Sequence, residues 1–561
     1  MPVEYEAGWQ HELDAQDLSG VLPVRVQCLP FSQIPHTTKL FSDFISNSPQ
    51  VRPFYPRSSN FGEWFKDEAG KIQYDLQRRE RVAAILERQN RSWGASSKTL
   101  ENIVRFRAGA SVVVTGQQVV LFGVPAFSIY KALTAVKLAE QATQTGVDAV
   151  PVFWLATEDH DLAEVNHVSL PGANAELHTI SVPTHGIHDA PVGQIAFGPE
   201  IEAAVSEAAA LLGETEVAAF LRQSYRPGET FGSAFARLFA RLFADWGVVL
   251  LDPMDPEFHQ IAKPIFRAAI ERAAELDDAL LARGKALESA GYHQQVKVTP
   301  SSTLLFAIRN GVRMPIHRKA NGVEAVFVIG DEKVPQAELL RQIDAEPESF
   351  SANVLLRPVM QDCLLPTLTY TGGAAEVAYF AQGAVVYEAL LGRVTPVLPR
   401  FSASVIEAKA EKLLERYHLV LPELFTGPER LRERLAIQAL PQEIQSAFDH
   451  ADEALANSLS AIGESLARLD STLVESATRA GAKMQYQLNK LRSRAGRAEL
   501  RRNEVLSRHS ELLGNALYPN KGLQEREVAG IYFVSAHGQE FLREIYTIIH
   551  TDCLDHQVIT L

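Results

Sequence analysis

Residues 111–118 read SVVVTGQQ and residues 149–161 read AVPVFWLATEDHD, and these two stretches with the segment between them decide the architecture. SVVVT is a short β-branched apolar run, the pattern of a strand buried on both faces, and it breaks at a glycine and two amides. After the loop VVLFG, Pro125 stands where a first helical residue is favoured. Ile129, Leu133 and Val136 follow at i, i+4 and i+7, which predicts an amphipathic helix to about Gln141. The linker QTGVD leads into a second apolar strand, AVPVFWLA, which ends in Thr157-Glu158-Asp159-His160-Asp161. Strand, helix and strand in this order form a right-handed crossover with parallel strands. TGQQ and TEDHD therefore leave the sheet at one carboxyl edge and face a common crevice.

The alternation continues downstream. Phe231, Phe235, Leu238, Phe239, Leu242, Phe243 and Trp246 make one wide apolar helix face, followed by the strand GVVLL and the polar terminus Asp252-Pro253-Met254-Asp255. LLPTLTY, Gly372-Gly373, a helix from about Ala374 to Gln382, and VTPVLP supply a further βα unit and another strand. The fold class is α/β, a Rossmann-like parallel sheet core spanning residues 1–402 with an N-terminal cap. Insertions fall at about 171–200, a Pro/Gly-rich stretch where His178, His185 and His188 are expected in solvent, and at about 291–345, which is β-rich.

Residues 403–515 differ in kind. Leu455, Leu459, Ile462, Leu466, Leu469 and Leu473 repeat at 4-3-4-3-4, and Met484, Leu488, Leu491 and Ala495 resume the rhythm, so a heptad seam in a long polar helix predicts a C-terminal α-helical coiled coil. Gly481 either turns the chain between antiparallel helices or is a tolerated interior glycine. Residues 516–561 form a tail that can return to the core.

With 561 residues, 46% of them hydrophobic, the chain has ample apolar material for a core, and a disordered or fibrous class is excluded. Its 54 Lys and Arg against 68 Asp and Glu give a formal charge of −14, which excludes a broad grip on nucleic acid or anionic lipid and leaves room for one local basic pocket. Cys28, Cys363 and Cys553 lie far apart in sequence with no CxxC, which argues for a reducing, cytoplasmic setting and against a disulfide framework or cysteine zinc site. The acidic N-terminus does not read as a signal peptide, and no run of 18 apolar residues predicts a membrane span.

Candidate site residues follow from the shared edge. Thr115, Gly116, Gln117 and Gln118 offer a glycine turn and amide donors for a carboxylate or phosphate, although neither GxGxxG nor a Walker loop is present, and a plain strand-to-helix turn explains the same string. Lys131, two turns into the helix, can reach back to the crevice or face solvent. Glu158, Asp159, His160 and Asp161, with Asn166 and His167 beyond them, are costly to bury and suit acid-base work, a carboxylate paired with His160 acting either as the general base or as the group that orients the histidine. Helix capping explains Asp159 and Asp161 without chemistry, and metal ligation through His160, Asp161 and His167 lacks a signature, so no metal site is predicted. Asp252 and Asp255 read mainly as turn and capping residues. Gly372, Gly373 and Glu376 form a second glycine turn at a helix start.

VVVTGQQVVLFGVPAFSIYKALTAVKLA, VPVFWLATEDHDLAEVNHV, FARLFADWGVVLLDPMDPE, NVLLRPVMQDCLLPTLTYTGGAAEVAYFAQ, VTPVLPR and KGLQERE together resemble the BshC family of cysteine ligases of bacillithiol biosynthesis, in the same order from about residue 20 to 550. The resemblance implies a core related to the class I nucleotidyltransferase-type fold, a coiled coil used for homodimer formation, and a reaction joining L-cysteine to the amino group of glucosaminyl malate. HIGH-like and KMSKS-like motifs of adenylate-forming relatives are missing from this sequence. The resemblance leaves the cofactor unknown, with ATP or ADP binding open. On this reading His160 is the proton acceptor, oriented by Glu158 or Asp161, with Lys131 and Gln118 as electrostatic partners. TGQQ and the helix start at 125–131 take the anionic end of a substrate. A non-catalytic coiled-coil scaffold and a metal-dependent hydrolase are the alternative classes.

Overall fold

The computed structural model describes residues 25–62, 64–123, 125–183, 188–321, 324–549 and 553–561. The first 24 residues of the N-terminal cap, and His185, lie outside the described residues. Five parallel strands carry the core: β1 (Ser111–Gln117), β2 (Ala149–Leu155), β3 (Val249–Leu251), β4 (Thr367–Gly372) and β5 (Val397–Pro399). Their spatial order is β5-β4-β1-β2-β3, with every pairing parallel. From the central β1 the chain builds outward through β2 and β3, then crosses back to build the other side through β4 and β5. The topological switch point, where ligands of open α/β sheets bind, therefore lies between β1 and β4.

Helices cover both faces, which is why β1 and β2 are buried at almost every position instead of alternating. Helix α1 (Phe127–Gln144) packs on β1 and β2, and α2 (Phe231–Leu242) brings Phe235 and Phe239 together at 4.4 Å with Phe239 4.9 Å from Phe153 of β2. Truncating Phe239 to alanine would cost ~3–5 kcal/mol. Helix α3 (Pro256–Glu271) follows β3, and α4 (Ala374–Leu391) follows β4.

One local expectation changes. Strand β1 runs through Gln117, so Gly116 is not in a loop: it pairs with Trp154, and a Cβ there would lie 2.8 Å from the Trp154 carbonyl oxygen. The glycine permits a close approach of strands and does not expose an amide cradle. Two of the three cysteines, far apart in sequence, meet in space. Strands Arg25–Leu29, His556–Thr560 and Ala403–Ile406 form a small sheet joining the N-terminal region, the tail and the chain just after β5, and Cys28 Sγ lies 3.0 Å from Cys553 Sγ.

The first insertion contains an antiparallel hairpin, His167–Pro171 with Leu177–Ser181. His178 is exposed on it beside Glu176, and His188 is exposed further along. The second holds four strands, Ser302–Arg309, Val312–Asn321, Glu324–Ile329 and Glu332–Pro335, completed by Phe350–Ala352 as a five-stranded antiparallel sheet.

The C-terminal region is an antiparallel hairpin of α5 (Gln442–Leu469) and α6 (Thr472–Arg502). The chain turns at Asp470–Ser471, where the Asp470 carboxylate accepts from the Thr472 amide at 2.8 Å and its hydroxyl at 2.7 Å. The seam from Leu455 to Leu473 is thus divided, Leu473 belonging to the second helix. Gly481 is interior to α6, and a Cβ there would sit 2.8 Å from Leu459 Cδ1, so the glycine lets the helices close. Ile462, Leu469, Met484 and Leu491 remain exposed. Among the described residues no helix is long and apolar enough to cross a membrane.

Candidate active site

Lys131 joins the two halves of the sheet at the switch point. Its buried Nζ donates to the Gly116 carbonyl at 2.8 Å and Gln117 Oε1 at 2.9 Å, and lies 2.6 Å from Glu376 Oε2. Glu376 also accepts from the Tyr370 hydroxyl at 2.5 Å and the Gly373 amide at 2.7 Å, closing the first turn of α4. Thr115 Oγ1 donates to the Thr371 carbonyl at 2.8 Å. Thr115, Gly116, Gln117, Lys131, Gly372, Gly373 and Glu376 therefore meet at one edge. Burial lowers the Lys131 ammonium to about 8, against the opposing pull of Glu376 and with help from Arg400 and Arg357. Burial would raise Glu376, but Lys131 and the hydrogen bonds outweigh it and hold it below the usual carboxylate range.

More cations gather here. Arg400, directly after β5, pairs with buried Glu525 at 2.6 and 3.1 Å, and Glu525 also accepts from the Ala403 amide at 3.0 Å. Lys131, Arg400 and Arg526 stand 5.7, 5.2 and 5.9 Å from the Phe127 ring centroid, and Arg357 stands 5.5 Å from that of Tyr370. Four cations thus face two carboxylates, Glu376 and Glu525. Arg400 Nε is buried without a hydrogen-bond partner, and among the described residues the Arg526 guanidinium makes no hydrogen bond or ion pair.

The start of α1 is not the anion seat expected at 125–131. Ala126 N donates to the Val528 carbonyl at 2.9 Å, and Gly530 packs so closely that a Cβ on it would lie 2.6 Å from Ile129 Cδ1. The tail packs on this turn, and at the start of α4 the Gly373 amide is taken by Glu376. The cationic groups at this edge are the side chains of Lys131, Arg357, Arg400 and Arg526.

Across β1 the edge is acidic. Gln118 Nε2 donates to Asp159 Oδ2 and Glu164 Oε2, both at 2.8 Å, and Asp159 Oδ1 accepts from the His160 amide at 2.8 Å. Glu158 does not orient His160. It turns inward to α3, where the buried His259 Nε2 lies 2.9 Å from its Oε1. Asp161 caps the short helix Leu162–Val165 through the Glu164 amide and, among the described residues, makes no hydrogen bond to His160. The neighbour of His160 Nδ1 is instead Arg313 of the second insertion, at 3.0 Å. Asn166 and His167 hydrogen-bond each other at 3.3 Å at the start of the hairpin, with His167 exposed and no hydrogen bond from this pair to a crevice side chain.

Asp255 caps α3 and pairs with Arg88, as its capping role predicts. Asp252 does more: it is half-buried in the edge, accepts from Thr157 Oγ1 at 2.5 Å, and is raised to about 6 by desolvation, with Glu158 and Asp255 adding to the rise. Burial works against the His259 imidazolium, but the hydrogen bond and charge of Glu158 outweigh it and raise His259. Among the described residues no three His, Cys, Asp or Glu side chains are grouped to hold a metal ion.

Sequence reading missed Arg313, Arg357, Arg400, Glu525, Arg526 and His259. Arg400 had a usable signal as the first polar residue after an apolar strand, the rule that marked TEDHD. His259 lies one helical turn after Asp255. Arg313 had none.

The sheet order, the switch-point crevice and the helical hairpin define a Rossmann-like α/β protein with a coiled-coil appendage. The chain belongs to the BshC family: residues 24–401 match the model "Bacillithiol biosynthesis BshC, N-terminal Rossmann-like domain", and residues 403–561 match "Bacillithiol biosynthesis BshC, C-terminal coiled-coil domain". Similar relatives, each named "Putative cysteine ligase BshC", come from Koribacter versatilis (50% identical, covering 95% of this chain and 99% of the relative), Solibacter usitatus (36%, 95% and 99%) and Salinibacter ruber (32%, 93% and 96%).

Proposed function

We propose that the crevice joins the carboxyl group of L-cysteine to the amino group of glucosaminyl malate. The carrying observation is the cationic wall, where four positive side chains face two carboxylates and Arg400 Nε and Arg526 retain unused donors. A malate unit brings two carboxylates, and bidentate guanidinium contacts suit them. The acidic wall across β1 attracts the acceptor's amine and takes up its proton. Asp159, held by Gln118 and the His160 amide but still partly open to water, is placed for that role. In the ligation the amine nitrogen attacks the activated cysteinyl carbonyl carbon. The C–N bond forms, the amine proton passes to the acidic wall, and the activating group leaves with its bonding electron pair.

The test incubates full-length protein with glucosaminyl malate and L-cysteine, with and without ATP and Mg²⁺, and follows product and nucleotide by mass spectrometry. Product with cleaved ATP is the expected result. Absence of product together with no binding of glucosaminyl malate by calorimetry overturns the assignment.

The exposed Ile462, Leu469, Met484 and Leu491 support a homodimer through the hairpin. Leu469→Glu is expected to yield monomers by light scattering. The three thiols favour a reducing cytoplasmic setting.

A further inference from the structure

Arg313 enters the crevice from the inserted antiparallel sheet, and its guanidinium is held on three sides. Nε donates to Ser351 Oγ at 2.9 Å, NH2 donates to the Ala352 carbonyl at 2.8 Å, and the group lies 3.9 Å from the Phe306 ring centroid. The fourth side presents NH1 to His160 Nδ1 at 3.0 Å. Backbone bonds fix the two insertions to this edge and to each other: Val192 N to the Asp159 carbonyl at 2.7 Å, Gly193 N to the Thr157 carbonyl at 2.9 Å, and Arg313 N to the Asp189 carbonyl at 2.9 Å. The Arg313–His160 contact is therefore braced from both partners.

A guanidinium has donors and no acceptor, so at this distance Nδ1 must be the accepting nitrogen. A neutral imidazole with a bare Nδ1 carries its proton on Nε2. The remaining neighbours do not compete. Asp159 Oδ1 stands 3.7 Å from Nδ1, beyond hydrogen-bond range, and is already engaged by the His160 amide, while Phe306 packs on the imidazole at 5.8 Å between centroids. Glu158 is occupied by His259. Burial lowers Arg313 while Glu158 and Asp159 oppose that, and a guanidinium keeps its charge across the working range.

We infer that Arg313 is a positioning residue that locks His160 in the Nε2–H tautomer, so that His160 donates a hydrogen bond to a carbonyl or carboxylate oxygen of the bound ligand and is not the proton acceptor. The inference rests on the reading above that the ligand occupies this crevice. It also gives the second insertion a purpose, since that insertion supplies the group that sets the histidine's chemistry.

Two measurements test it. Long-range ¹H–¹⁵N spectra of full-length protein labelled with ¹⁵N-histidine, with H160Q providing the assignment, should show His160 protonated at Nε2 and bare at Nδ1. R313M should shift the ring toward a mixture of tautomers, and R313K, which keeps a donor, should restore the original state. A proton on Nδ1 in the unsubstituted protein overturns the inference, as does an unchanged ring in folded R313M; if R313M does not fold, the unsubstituted spectrum still decides. In the ligation assay H160Q, which keeps an amide donor but cannot take up a proton, should exceed H160A at least tenfold in kcat and preserve the pH profile. Equal, hundredfold or greater losses in both variants would mark a proton acceptor and overturn the donor role. If the unsubstituted protein makes no product, the functional reading fails while the spectrum still decides the tautomer.

Discussion

Two half-buried carboxylates on either side of β1 are driven in opposite directions. Glu376 is held below the usual carboxylate range, whereas Asp252 is raised to about 6. Burial pushes both up, so the company each keeps decides the outcome. Glu376 sits among Lys131, Arg400 and Arg357, while Asp252 sits with Glu158 and Asp255 and is relieved mainly by hydrogen bonds from Thr157 and the Met254 amide. One sheet edge thus carries a cationic wall and an acidic wall. An amide ligation between an amine and a carboxyl donor can use both.

Removing the clamp on the cationic wall should have the largest effect. Glu525→Ala leaves the buried Arg400 charge uncompensated and should cost ~3–5 kcal/mol in denaturant unfolding. An unchanged midpoint would mean that the wall does not depend on its carboxylates. On the acidic wall the sign reverses. Asp252 is raised from an ordinary 3.8 to about 6, so the folded state binds more protons between these values and stability falls as pH rises through them. Asp252→Asn should therefore stabilise the protein by ~3 kcal/mol at pH 7 and give little gain near pH 4, as read from unfolding curves at both pH values. Loss of function with this gain would identify Asp252 as a site group kept at a cost in stability.

His259 offers a finer comparison. Its raised value means that the His259–Glu158 pair contributes fully below the ordinary histidine pKa and is lost as pH rises through the folded value. Glu158→Gln should flatten that slope; a slope that persists would assign it to another group. Arg526→Ala should leave the fold within ~0.5 kcal/mol, because among the described residues the guanidinium makes no hydrogen bond or ion pair, yet raise KM for the dicarboxylate acceptor by roughly tenfold or more. The smallest effect concerns Lys131. With its ammonium lowered to about 8, anion affinity should decline above that pH, and Lys131→Met should remove the step from a calorimetric pH series.

The path to these walls was legible in part. The apolar runs of β1 and β2, the i, i+4, i+7 face of α1 and the polar strand ends placed TGQQ and TEDHD on one edge. Lys131 and Gly372-Gly373-Glu376 were candidates that the structure joins through a single ion pair. Partner choice was the less legible part. Glu158 lay beside His160 in sequence but pairs with His259, 101 residues away, because the chain at the end of β2 turns that carboxylate inward and leaves the histidine near the rim. Arg313 reaches His160 across 153 residues and Arg400 reaches Glu525 across 125, so no local spacing could announce either contact.

Periodicity and strand-end polarity reflect burial along one chain segment, and that local physics determined the parallel core, the crossover and the long C-terminal helices, while the turn at Asp470–Ser471 was set by packing. The charge state of each site group depends on the dielectric and on charges brought in from other segments. Which carboxylate is raised, which lysine is lowered and which histidine nitrogen bears the proton were therefore decided only when insertion, tail and sheet packed together.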